Sequence, residues 1–423
     1  AFNLDSQLIP IFDMPYREQE QYRTNPLTER ISRGLYLSGF RDIGVKTGAT
    51  EIWVQAANVR YFYNMKALGV LLKVLNQILP ADIQKIHVVL TERGIPMIGF
   101  SALRDDLRAF ETEVFSVPDF MSLSQMQTGV YSMPDTKKLH RRYFDYGLKP
   151  EFQTFLNDPS GFFKGRAGAA AWVSLEPWKG ASFTVGGELY AWNDISSSVP
   201  PLPNPVRSDI VYYLEKDYAL SNLMFEQILK TKYEIYGKIA AGFLEIEYAG
   251  LDAEIATTLF GGRILAGFGG SLVKKRDPGN PLKLINDDLN ENYKTAFFNT
   301  RVNFRDLEMY VDVKAGRFLA GDKGARVTVT KSFFNGVQLA AWYSFTDTSI
   351  FTDTYNNGYH DKGISLSIPL RLFLGRDSRT LYTYSISPWT RDVAQDIGHR
   401  TALFDFIGRN TNTFVNKDSR MMR

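Results

Sequence analysis

Arg301, Asn303, Arg305, Glu308, Asp312 and Lys314 bring cations, an amide and carboxylates to positions that share one face if the two flanking segments are neighbouring strands. Carboxylates and amides can hold sugar hydroxyls, while Tyr or Trp faces stack on sugar rings. The same charges can instead pair across strands and plug or stiffen the fold. Glu245 and Glu247 also share a face at spacing two. They could hold a cation or a proton pair, but with no second ligand cluster nearby in sequence, pairing within a lumen is the simpler reading. An enzyme needs an acid, base or nucleophile constellation within hydrogen-bond reach, and none is visible in sequence order. His87, His140, His360 and His399 are scattered without metal-ligand spacing. No cysteine is present, so neither a disulfide framework nor a thiolate metal site exists. The expectation is therefore no catalytic residue, no metal and no cofactor. His87 is expected to be an exposed strand residue. Gly267-Phe268-Gly269-Gly270 superficially resembles a phosphate loop, but no Lys-Ser/Thr follows, and in a strand context it thins a barrel wall.

The elements that must position these groups are strands of period two. Phe298, Thr300, Val302 and Phe304 interleave with Asn299, Arg301, Asn303 and Arg305; Leu307, Met309, Val311, Val313 and Ala315 alternate with Glu308, Tyr310, Asp312 and Lys314. Similar runs recur from near Gly165 almost to the C-terminus, in spans long enough for tilted strands to cross a bilayer. With a charge at the bilayer midplane costing roughly 2–4 kcal/mol, the polar face must line the lumen. The reading is a mainly β chain forming a transmembrane antiparallel β-barrel of about 14 strands, 12–16, with an even number preferred. A soluble sandwich or lipocalin-like barrel would carry the same alternation with its apolar faces inward. So many strands would then enclose more volume than their side chains fill. Asn193–Pro205 and Lys274–Asn292 read as long loops, Arg305-Asp306 and Asn335-Gly336 as tight turns. Gly321-Asp322-Lys323-Gly324 reads as a hairpin connection with its charges exposed or paired to a neighbouring loop.

Ahead of the strands, residues 26–120 read as a small α+β periplasmic module of helix, two strands, helix, two strands. Leu68, Leu72, Leu75 and Leu79 give the second helix its apolar face, and Ser101 is expected to cap a later short helix. Residues 1–25 read as an extended arm or linker, 121–410 as the barrel and 411–423 as a polar tail. The N-terminus lacks the charged start and apolar core of a signal peptide, so a mature form or a fragment is expected. The net charge of +3, from 49 basic and 46 acidic residues, gives no electrostatic reason to expect nucleic acid.

Several stretches resemble the YjbH/GfcD family of outer-membrane exopolysaccharide (group 4 capsule-type) proteins. They are Val206-Arg207-Ser208-Asp209; Gly242 to Gly250 with Glu254 following; Gly316 to Ala325 with Phe333 to Gly336; Asp361-Lys362-Gly363-Ile364 leading to Ile368-Pro369-Leu370; and Pro388-Trp389-Thr390-Arg391-Asp392. Members of that family are longer, and this chain resembles their C-terminal part. The resemblance implies a role in assembling or exporting an extracellular or capsular polysaccharide at the outer membrane of a Gram-negative bacterium. The implied partners are outer-membrane lipids, the polysaccharide, periplasmic and lipoprotein components of a secretion system, and the N-terminal region of a longer chain.

The glycan-binding candidates, at lumen or rim, are thus Arg207, Asp209, Glu245, Glu247, Glu254, Arg301, Arg305, Glu308, Asp312, Lys314, Asp322, Lys323, Arg391 and Asp392. The leading expectation is a non-enzymatic outer-membrane barrel whose module docks partner proteins. The alternatives are a barrel enzyme, hydrolase or acyl-modifying, acting on envelope glycans or lipids, and a general porin.

Overall fold

The computed structural model describes residues 16–129, 134–285, 292–388 and 390–423. Most of the expected arm, Trp389 and part of the loop from Lys274 to Asn292 lie outside the described residues.

The N-terminal module runs α1 (Leu27–Leu37), β1 (Phe40–Thr47), β2 (Glu51–Asn58), α2 (Asn64–Ile78), β3 (Lys85–Glu92), β4 (Ile95–Leu103), α3 (Arg104–Glu111), α4 (Val117–Leu123), β5 (Gln125–Gln127) and β6 (Lys138–Leu139). Its sheet order is β5-β4-β3-β2-β1-β6, so the module extends past residue 120 to take in two short edge strands. β2 and β3 pair in parallel across the α2 crossover, and α2 buries Met65, Leu68, Leu71, Leu72, Leu75 and Ile78 against the sheet. Each such side chain contributes about 1.5–3 kcal/mol. Two expectations are corrected here. Ser101 does not cap a helix: it lies within β4, its Oγ 2.7 Å from His87 Nδ1, and α3 begins after Leu103. His87 is buried rather than exposed, stacked on Trp53 with ring centroids 3.9 Å apart. Both lie on central strands, where neighbours cover either face.

Among the described residues, thirteen antiparallel-paired strands follow. They are β7 (Phe144–Asp158), β8 (Gly161–Leu175), β9 (Ala181–Asn193), β10 (Tyr218–Lys230), β11 (Ile235–Phe243), β12 (Tyr248–Leu259), β13 (Ile264–Lys275), β14 (Tyr293–Phe304), β15 (Met309–Arg317), β16 (Lys323–Ser332), β17 (Gln338–Thr346), β18 (Lys362–Pro369) and β19 (Leu381–Ile386). One-turn helices α5 (Val211–Leu214) and α6 (Arg371–Leu374) sit in the β9–β10 and β18–β19 connections. Val185, Leu189, Ile239, Leu251, Ile255, Phe268, Phe298 and Ile364 stand exposed on the outer wall, while Arg166, Lys238, Glu226 and Asp252 are buried inside. Exposed Trp178, Tyr233, Phe260 and Phe304 mark the rim nearest the module, and Phe162, Trp192, Tyr218 and Phe345 the far one. An apolar belt between aromatic girdles around a polar interior is the surface of a membrane-spanning barrel.

The three longest connections, β9–β10, β13–β14 and β17–β18, lie at the end away from the module, together with the short β7–β8, β11–β12 and β15–β16 turns; those at the module end are short except β18–β19, which holds α6. Thirteen falls within the expected range but is odd, so β7 and β19 both run away from the module and their seam carries no ladder. Side chains bridge it: Thr154 Oγ lies 2.6 Å from Tyr384 Oη, and Tyr382 Oη donates to the Phe152 carbonyl at 3.2 Å. Among the described residues no fourteenth strand follows β19. The chain turns inward and threads the lumen back to the module, ending in α7 (Leu403–Ile407) and α8 (Asn412–Asp418).

Two boundaries change accordingly. The segment from 390 to 402 is a plug rather than barrel wall, and residues 411–423 are not a free polar tail, since Phe414, Val415 and Met422 are buried. One apolar core joins Leu68, Leu71 and Leu72 of the module, Ile228, Tyr236 and Leu265 of the barrel base, and Leu403, Ile407, Val415 and Met422. At Gly69 on α2, a Cβ would lie 2.0 Å from the Met422 carbonyl oxygen. Gly69→Val should therefore undock the C-terminus while leaving the barrel folded. Trypsin cleavage at Lys417 and Arg420 is expected to accelerate about tenfold, with the heat-modifiable gel shift of a folded barrel unchanged.

Candidate functional site

The polar side chains of the lumen converge on the plug, and each contact follows from which way its strand or turn points. At the far rim the Asp392 carboxylate accepts from the backbone N–H groups of Val206, Arg207 and Ser208 at 3.0, 2.7 and 2.8 Å, and from Ser208 Oγ at 3.1 Å. One turn away, Asp322 Oδ2 accepts from Ala394 N at 2.8 Å, and Leu319 N donates to the Gln395 carbonyl at 2.8 Å. Arg326 donates to the Ala394 carbonyl at 2.5 Å and to Asp361 at 2.7 Å. Deeper, Arg207 donates to the Asp396 carbonyl at 2.7 Å, Glu245 accepts from Gly398 N at 2.7 Å, and Glu254 accepts from Leu403 N at 2.8 Å.

Side-chain pairs fill in between. Lys314 meets Asp396 at 2.5 Å, and Arg301 bridges Asp312 at 2.7 Å and Asp405 at 3.0 Å. Arg207 also holds Glu245 at 2.7 Å and Glu247, while Lys275 holds Asp209 and lies 3.8 Å from Glu247. At the module rim, Glu308 collects Arg409 at 3.1 Å, Lys417 at 2.9 Å and Arg420 at 3.6 Å.

The candidates therefore divide into groups. Arg207, Glu245, Glu254, Asp322 and Asp392 bind the plug backbone directly or anchor it to a loop, and Arg301, Lys314 and Glu308 pair with its side chains or those of the C-terminal helices. Asp312 holds Arg301, while Asp209 and Glu247 brace the far rim. Of the two readings open for Asp322, exposed or paired to a neighbouring segment, the structure has the second: it is fully buried and anchors the plug. Arg305 is corrected from the lumen wall to an exposed turn, where its ion pair among the described residues is with Asp306 at 2.9 Å. Lys323 is exposed at the start of β16. Arg391 stacks between Tyr355 and Tyr359, 3.2 and 4.1 Å from their ring centroids, in the wall of a 720 Å³ cavity at the far rim.

Sequence order concealed one cluster. His399 Nδ1 lies 3.2 Å from Asp252 and 3.4 Å from Glu254, the three offering ligand atoms within 4.8 Å of one another. Lys238 Nζ sits among them, 3.0 Å from Asp252 and also paired to Glu254, and supplies the positive charge a metal would bring. Lys238 and Asp252 could have been read from the inward parity of their strands. His399 could not, because its segment has no period.

These features define a plugged transmembrane β-barrel with an α+β module fixed at one mouth, a protein of the cell envelope. A family model described as "Exopolysaccharide biosynthesis protein YbjH" matches residues 2–409, and the chain belongs to this family. It is 22% identical over 396 residues to the protein named "Uncharacterized lipoprotein YjbH" of Escherichia coli (strain K12), covering 90% of this chain and 55% of that one. The chain thus spans about half the length of that curated relative. Two solved structures of OmpT (in-vitro folded), an outer membrane protein of Vibrio cholerae, one of them a trimer form, overlay on 53% of the chain. They cover 81% and 80% of those chains at TM-scores of 0.28 and 0.27, with 11% and 12% identity, too distant to carry an argument.

Asp392→Ala would strip three backbone donors of their shared acceptor. A loss of about 2 kcal/mol of local stability is expected, since hydrogen bonds to a charged group each contribute about 1.5–3 kcal/mol. Hydrogen exchange at Val206, Arg207 and Ser208 should then quicken roughly 30-fold, and unchanged exchange would show that the plug is held elsewhere.

Proposed function

We propose that the protein is a non-enzymatic outer-membrane barrel that takes part in assembly or export of an extracellular polysaccharide, with its lumen closed at rest by residues 390–403. The observation that carries this reading is the plug itself: Asp392, Ala394, Asp396, Gly398 and Leu403 are each fastened to the wall or to a rim loop. A general porin would keep that passage clear. A barrel enzyme would keep its lumen acids available, whereas here Glu245, Glu254 and Asp322 are engaged by plug amides. The family's description supplies the polymer class. The three longest connections lie on the side away from the module, which supports a periplasmic module, since outer-membrane barrels keep their long loops outside. A module sharing a core with the plug's continuation is also placed to pass a partner's binding on to the gate.

The test is conductance of the purified chain in planar bilayers. The unmodified protein should be closed. Asp322→Ala combined with Asp392→Ala should give openings whose current added exopolysaccharide blocks. A steady large current from the unmodified chain, or a double variant that stays closed, would overturn the gated reading.

A further inference from the structure

Where the module's β3–β4 turn meets the barrel mouth, two cavities of 560 and 500 Å³ share Glu92, Arg93, Arg379, Leu381, Arg400 and Thr401 and so form one vestibule. Each lies in the size range of small-molecule sites, about 300–1,000 Å³. Most cations here already have an acid. Arg379 meets Glu92 at 2.6 Å, Arg93 meets Glu226, Arg142 meets Asp145, and Lys149 meets Glu151 at 2.5 Å.

Arg400 is the exception. It lines both cavities, yet among the described residues its guanidinium makes no ion pair or hydrogen bond, and lies over the Trp172 ring at 5.4 Å from the centroid. Trp172 adds a second observation: its Nε1–H is buried with no acceptor, and the residue lines the 500 Å³ cavity. An indole N–H is a donor only, and a guanidinium offers five donors and no acceptor. A buried indole N–H left without an acceptor is costly, because nothing repays its lost hydration. The indole N–H lacks an acceptor, and the part-buried Arg400, within reach of the Glu226 charge but not paired to it, has its donors free for an oxyanion.

We propose that this vestibule binds the anionic group of a sugar unit, a carboxylate or a phosphate substituent, with Arg400 as its ion-pair partner and the Trp172 Nε1–H as a second donor. The sugar part of the assignment rests on the polysaccharide reading above; the oxyanion part rests on the two donors alone. Because Arg400 sits two residues from Ala402 at the end of the plug, an acidic polymer engaged here would touch the gate itself. A guanidinium fork suits either anion, since both present paired oxygens in a plane it can match.

The test is calorimetric titration of the detergent-solubilised full chain with D-glucuronate, glucose 6-phosphate, inorganic phosphate and neutral glucose. One or both sugar anions should bind and glucose should not, and the anion preferred shows whether the site reads carboxylate or phosphate. Arg400→Gln should weaken binding about tenfold or more, Arg400→Lys should restore part of it, and Trp172→Phe should cost about threefold. The heat-modifiable gel shift checks that every variant is folded. Equal binding to the unmodified protein and Arg400→Gln, or no sugar anion bound at millimolar concentration, would overturn the proposal. Inorganic phosphate binding as tightly as both sugar anions would overturn the sugar assignment. Failure here leaves the conductance result untouched, so loss of the site and loss of the export reading are separately visible.

Discussion

The structure turns on charge compensation inside a barrel. A wall of thirteen strands with an apolar outside must point its Lys, Arg, Asp and Glu residues inward, where taking a charge out of water costs several kcal/mol unless it is paired and hydrogen-bonded. This chain meets that cost with its own continuation. Residues 390–403 offer backbone amides to Glu245, Glu254 and Asp322, carbonyls to Arg207, Arg326 and Lys238, and a carboxylate to Lys314. The plug has no regular secondary structure, and that suits it: its N–H and C=O groups are free of a ladder and remain available to the wall.

The same return path explains the strand count. A fourteenth strand after β19 would need alternating apolar residues on its lipid face. Residues 387–402 instead place Arg391, Gln395 and His399 on one parity and Asp392, Asp396 and Arg400 on the other, so neither face suits lipid. The chain therefore goes inside, and the barrel closes through side chains of β7 and β19. Once the C-terminus reaches the module, apolar packing replaces ion pairing as the dominant interaction. Leu403, Ile407, Val415 and Met422 enter the core that also holds α2. Plug, barrel base and module are in this way one packed body.

The stretches that carried the family resemblance meet in space around this segment. Val206–Ser208 wraps the Asp392 carboxylate, Glu245 and Glu254 take the amides of Gly398 and Leu403, Asp322 takes that of Ala394, and Asp361 steadies Arg326 against the Ala394 carbonyl. Phe334, in the tight turn after β16, accepts a hydrogen bond from Tyr63 of the module at 3.0 Å. Their role in the fold is to hold the plug and seat the module, which explains how motifs far apart in sequence belong to one structural feature.

Much of the fold was legible beforehand because strand alternation is a local signal. The inward parity of Arg301, Asp312 and Lys314 and the outward parity of Phe298 and Val311 follow from period two alone, as does the apolar face of α2 from period 3.6. Local pattern misjudged Ser101 and His87, because burial on a central strand depends on what covers it from elsewhere in the chain. It likewise could not show that Asp322 is an anchor or that 411–423 is docked. The sequence by itself determined the class of fold, the polar lumen and the residue types lining it, since these are consequences of side-chain period and of the cost of charge in lipid. Only the tertiary structure decided that the lumen is filled, which carboxylate meets which amide, and that Arg400 and Trp172 share a vestibule with unmet donors, because an aperiodic segment acquires its neighbours through packing of distant parts of the chain.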